Sequence, residues 1–166
     1  MAGTFEPPRA APDFSLQGSD GQTLSLPRFR GKVVLLQFGF TACGNVCPAT
    51  LATLAQVTRA LGEQAAAVQV VYITIDPERD DVERLRLYLA AFDPAFIGGT
   101  GSEETLAAVR KAYGVAAQRT SSNGAPQFGH SSFVTLIDRQ GLLRAIMPFG
   151  YKPEAYVHDV RALLSQ

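Results

Sequence analysis

The chain has little cysteine and no excess of charge of either sign. Lys plus Arg number 15, as do Asp plus Glu, so the formal net charge is zero. A nucleic-acid binder needs a basic surplus to neutralise phosphates, and none is present. The basic residues are scattered, which argues equally against a polybasic membrane patch. No apolar run reaches the roughly 18–20 residues that span a bilayer; the strongest is Val33 to Phe40. No apolar stretch of signal-peptide type follows Met1. Internal repeats and low-complexity tracts are also missing. Two cysteines, Cys43 and Cys47, are too few for a disulfide-built scaffold.

What is there is a globular composition of domain size, 166 residues with 46% hydrophobic, enough for one core. The opening carries Pro7-Pro8 and Ala11-Pro12. It reads as a tether or linker over residues 1–12, with an upstream anchor or signal expected to have been removed. Residues 13–166 then form a single domain.

Apolar and polar residues alternate in Phe14-Ser15-Leu16 and in Thr23-Leu24-Ser25-Leu26, on either side of Gly18-Ser19-Asp20-Gly21. That is a β-hairpin pattern. Val33–Phe38 and Val68–Ile75 are almost wholly apolar and β-rich, as expected of central strands buried on both faces. Pro48 opens a helix that Gly62 closes. Asp80 with Glu83 resembles a capping box for a helix running to about Phe92. Phe96–Gly99 is a short strand or loop, and Ser102 starts a further helix ending near Tyr113-Gly114. Residues 116–129 lack periodicity and read as a long loop. Ser132–Ile137 and Leu142–Met147 form a hairpin about Asp138–Gly141, and a last helix spans about Pro153 to Leu164. Strands alternating with helices imply an α/β fold with parallel central strands. In such sheets ligands bind at the carboxyl ends of the strands. The first buried strand delivers the Cys loop there, and the second delivers Asp76.

Cys43 and Cys47 are four residues apart. On a helical turn that spacing brings their Cβ atoms to about 5–6 Å, wide enough for two sulfurs to grip one ion. A disulfide needs about 3.8 Å, which the loop reaches by tightening at Gly44. One segment thus suits a metal when reduced and a disulfide when oxidised. Cys47 precedes Pro48 at a helix N-terminus, where dipole and free N–H groups are expected to lower its thiol pKa. Paired thiolates are soft ligands that favour Cu(I) or Zn(II). A structural zinc site wants four ligands, and only three are in view. Of the remaining donors, His158 belongs to a helix face and Met147 to the core. His130, between the long loop and the following strand, is the third candidate ligand. Asp76 is either a carboxylate that orients a ligand or a polar cap on the turn after its strand, with the two readings evenly balanced.

Three stretches, taken in order, resemble the Sco (SenC/PrrC) family of copper proteins of cytochrome c oxidase assembly. They are Gly31 through Pro48, which holds Phe38-Gly39-Phe40-Thr41-Ala42-Cys43-Gly44-Asn45-Val46-Cys47-Pro48; Ile75-Asp76-Pro77-Glu78-Arg79-Asp80; and His130-Ser131-Ser132-Phe133 to Ile137-Asp138. The resemblance implies a thioredoxin-like fold, with a central mixed sheet flanked by helices and an added N-terminal hairpin. It implies one copper, Cu(I) or Cu(II), per chain on Cys43, Cys47 and His130. It further implies a monomer held at the periplasmic side of the bacterial inner membrane. Its partner would be the copper-bearing oxidase subunit or another copper chaperone. The family is thought to act as copper chaperone, as thiol–disulfide reductase on the client's copper-ligand cysteines, or as both, so enzymatic activity stays open. Redox-active Cys43 and Cys47 belong to either role. The chain departs from the family where Pro and an acidic residue are common and it has Gly44-Asn45, and where Val-Asp is common and it has Phe128-Gly129.

Overall fold

The computed structural model describes residues 4–44, 46–122, 125–130 and 132–166; for 117–122 and 125–130 the backbone alone is described. In chain order the strands are β1 (Arg9–Ala10), β2 (Leu16–Gly18), β3 (Thr23–Leu24), β4 (Val33–Gly39), β5 (Val68–Thr74), β6 (Ile97–Thr100), β7 (Ala117–Ser122), β8 (Ala125–His130), β9 (Phe133–Ile137) and β10 (Leu142–Pro148). The α-helices are α1 (Val46–Leu61), α2 (Val82–Ala90), α3 (Glu103–Ala112) and α4 (Pro153–Leu164). Eight strands form one mixed sheet in the order β1-β10-β9-β4-β5-β6-β2-β3. β4, β5 and β6 are parallel, and β9 runs antiparallel to β4.

Every residue of β4 is buried, as its continuous apolar run requires of a strand covered on both sides. Val33 and Leu35 with Val70 and Tyr72 face a core built by α1, α2 and α4. Val34, Leu36 and Phe38 face the opposite core, with Leu106 and Val109 of α3 and with Leu16 and Leu24 of the N-terminal hairpin. That hairpin pairs Leu16 with Leu24 and joins the sheet through β6, as its alternation predicts. The β9–β10 hairpin and α4 likewise occupy the expected segments. Within the Pro-rich opening, Phe5 N donates to Arg144 O, and Arg9 and Ala10 pair with β10, so this stretch runs along the sheet edge.

Two expectations are corrected. Residues 116–129 are not one long loop: β7 and β8 pair from Ala117–His130 through Ser122–Ala125 as a separate two-stranded sheet. The Asn123-Gly124 dipeptide between them is the sequence signal for such a hairpin. A ribbon outside the main sheet need not carry the apolar alternation that marks a core strand. The second helix is capped by Asp81, whose side chain accepts from Arg84 N, and Asp80 is free to turn inward.

Candidate metal centre

β4 and β5 end side by side. Gly39 pairs with Thr74, and Ile75 N donates to Gly39 O at 2.8 Å. The segment carrying Cys43 therefore lies against the segment carrying Asp76 and Asp80, at the carboxyl end of the parallel strands. Residues 40–44 lead from β4 to α1, which begins at Val46 and takes Cys47 into its first turn. Helix formation thus starts two residues before the expected Pro48.

Asp80 fixes this loop, a role the sequence reading gave instead to helix capping. Its carboxylate is fully buried. It accepts from Thr41 N at 2.9 Å, Thr41 Oγ1 at 2.6 Å and Thr74 Oγ1 at 2.7 Å. Arg84 closes the arrangement from solvent, with Nε 2.7 Å from Thr41 Oγ1 and 3.5 Å from Asp80 Oδ1. A buried charge must be compensated by hydrogen bonds and counter-charge. Here that compensation ties the start of the Cys loop to β5 and α2.

Asp76 is also buried, and its Oδ2 lies 3.3 Å from Arg79 Nε. Its carbonyl accepts from Arg79 N and Asp80 N, and its own N–H donates to Thr74 Oγ1. Asp76 thus shapes the turn with its backbone and holds Arg79 with its carboxylate.

The two sulfurs are neighbours. Cys43, half-buried, accepts a hydrogen bond from Cys47 N at 3.4 Å, and its thiol also engages the Cys47 thiol. The helix N-terminus therefore directs an amide at Cys43. Cys47 is fully buried. Burial, followed by the hydrogen bond with Cys43, pushes its thiol up to about 12. This overturns the expected lowering: loss of solvent outweighs the helix dipole for a sulfur sunk into the core. Beside Cys47 lies the buried Tyr72 of β5, a neighbour that nothing in the sequence motif announces.

His130 is the last residue of β8, and its side chain lies outside the described residues. Its backbone precedes β9, whose early residue Val134 pairs with Gln37 near the carboxyl end of β4. The chain after His130 thus enters the sheet at the end where the Cys loop leaves it. Among the described residues, no group of three or more His, Cys, Asp and Glu side chains converges as a metal site. His158 is exposed beside Asp159, and Met147 is core, as expected of both.

Two soft sulfurs in contact, backed by a rigid turn, fit a thiophilic ion. The SCO1/SenC family model matches residues 3–165. The chain belongs to the SCO1/SenC family. A SCO2-like protein of Rickettsia prowazekii is 34% identical over 131 residues, covering 77% of this chain and 64% of that protein. The chain therefore spans less than two thirds of that relative. Bradyrhizobium japonicum ScoI, solved with copper bound, superimposes with a TM-score of 0.86 at 31% identity, covering 93% of this chain and 99% of the other. Arabidopsis thaliana ScoI, also solved with copper bound, gives 0.87 at 29% identity over 95% of this chain and 99% of the other. These matches establish the α/β, thioredoxin-like SCO1/SenC architecture expected from the sequence. Among the described residues, no helix is long and apolar enough to cross a membrane.

Proposed function

We propose that this SCO1/SenC chain binds one copper ion as cargo through Cys43, Cys47 and His130, and passes it on during assembly of the dinuclear copper centre of cytochrome c oxidase. The observation that carries the reading is the contact between the Cys43 and Cys47 thiols. It is supported by the copper held in two related structures. The half-buried Cys43 is the sulfur an incoming ion meets first. Buried Cys47 completes the pair, and Asp80 holds the approach rigid through Thr41. Ligand exchange with a client's own thiolates then transfers the ion. In this reading residues 13–166, with edge strand β1 docked on their sheet, are the working domain, and the opening leads to a tether on the periplasmic side of the inner membrane.

The test is copper stoichiometry. The reading expects one copper per chain, lost in Cys43→Ala, Cys47→Ala and His130→Ala. Unchanged stoichiometry in Cys47→Ala contradicts it.

The same sulfur contact supports a second reading, reduction of a client disulfide by the Cys43–Cys47 pair. Metal-free protein that rapidly reduces the client's copper-ligand cysteines, while taking up no copper, favours that reading over delivery.

A further inference from the structure

Among the described residues, three buried polar atoms close to Cys47 find no well-formed hydrogen bond to nitrogen or oxygen: Tyr72 Oη, Tyr88 Oη and Gln37 Oε1. Gln37 and Tyr72 are paired in register on the adjacent parallel strands β4 and β5, so their side chains leave the sheet on one face. That face carries Cys47. Gln37 Nε2 reaches Cys47 O at 3.5 Å, while its Oε1 stays unpaired and does not take the tyrosine proton. The Tyr88 ring of α2 leans on Tyr72, with centroids 6.0 Å apart. Such groups are rare in folded proteins and ask for an explanation.

Gly39 makes the arrangement possible. A Cβ there would collide with the Tyr72 hydroxyl and stand 2.9 Å from Cys47 Sγ. The hydroxyl and the sulfur therefore flank the same bare backbone position. Among the described residues, the Tyr72 hydroxyl engages the Cys47 sulfur, with the Tyr88 hydroxyl as its other polar neighbour.

We propose that Tyr72 is a positioning residue for Cys47: its O–H donates to the Cys47 sulfur and tunes it as an electron donor, whether that sulfur faces a metal or a second thiol. A neutral thiol is a weak acceptor, so the bond it offers the Tyr72 hydroxyl is a weak one. The bond strengthens as negative charge grows on sulfur, as in a metal thiolate. Hydrogen bonds to a ligating sulfur shift both its charge-transfer energy and the potential of the centre.

The metal part of this inference rests on the copper reading; the thiol part does not. The experiment therefore has two arms, comparing wild type with Tyr72→Phe, which keeps the ring and removes the hydroxyl alone. In metal-free protein, the Cys43 and Cys47 dithiol is equilibrated with glutathione disulfide. The protein loses two electrons and two protons as its S–S bond forms, and glutathione disulfide is cleaved to two thiols. Tyr72→Phe is expected to become easier to oxidise by about threefold in the equilibrium constant, about 14 mV for a two-electron couple. With Cu(II) added, its sulfur-to-copper band moves to longer wavelength at unchanged stoichiometry. A wild type without such a band defeats the copper reading and leaves the glutathione arm to decide on Tyr72. Equal glutathione equilibria in the two proteins, with no band displacement, overturn the inference and reduce the hydroxyl to an unpaired group whose removal merely raises the melting temperature.

Discussion

The backbone N–H of Cys47 donates to the sulfur of Cys43 at 3.4 Å, so the start of α1 serves its neighbour's thiol while its own lies buried. The two cysteines are thereby unequal. Cys43 is half-exposed and holds an amide; Cys47 is shut from solvent and held protonated.

Alkylation of the reduced, metal-free protein reads this inequality. The thiolate is the nucleophile. A thiol raised to about 12 is almost entirely protonated at pH 8. With iodoacetamide, Cys43 is expected to react first by about tenfold or more, burial adding to the scarcity of thiolate. Peptide mapping of partly modified protein checks the order, and equal labelling contradicts it.

Asp80→Ala leaves Thr41 N, Thr41 Oγ1 and Thr74 Oγ1 without their acceptor. A loss of about 3 kcal/mol is expected, from several buried donors stranded at once. Denaturant unfolding measures it. Hydrogen exchange at the Thr41 amide should accelerate beyond the amides of β4, since the Thr41 amide points at the missing carboxylate.

Gly39→Ala places a methyl where Tyr72 and Cys47 meet. Overpacking of a filled core costs about 1–3 kcal/mol, and the displaced sulfur weakens copper retention. Unfolding and copper titration of the same variant check both effects, and a variant as stable as wild type contradicts the crowding seen here.

Alkaline pH exposes the buried tyrosines. Burial raises the phenols of Tyr113 and Tyr156 above their ordinary value of 10.0. The folded state therefore keeps protons that the unfolded chain releases, and stability is full below pH 10 and falls above it. The slope approaches about 1.4 kcal/mol per pH unit for each group. Tyr113 also donates to Pro12 O at 2.6 Å, so its ionisation loosens the N-terminal segment. Unfolding followed from pH 9 to 12 checks the sign; Tyr113→Phe should flatten the slope.

The main sheet was legible because β4 and β5 are apolar throughout and the hairpins carry their turn residues. The β7–β8 ribbon was not, since it lies outside the main sheet and its segments carry no apolar alternation beside the Asn123-Gly124 turn signal. The cysteine pair stood out by spacing. Asp80 did not, because Asp80 and Asp81 are equivalent in sequence, and only the inward turn of the chain decides which one caps and which is buried. Tyr72 was hidden for a similar reason: in an apolar strand it reads as core, and its hydroxyl acquires meaning only when Gly39 lets Cys47 approach.

The most direct measurement is a Cu(II) titration of the reduced protein followed through its sulfur-to-copper charge-transfer band. The account predicts a band that grows to one equivalent per chain, stops there, and is lost in Cys43→Ala and Cys47→Ala. A protein that takes up no copper, or whose copper spectrum is indifferent to both cysteines, contradicts it.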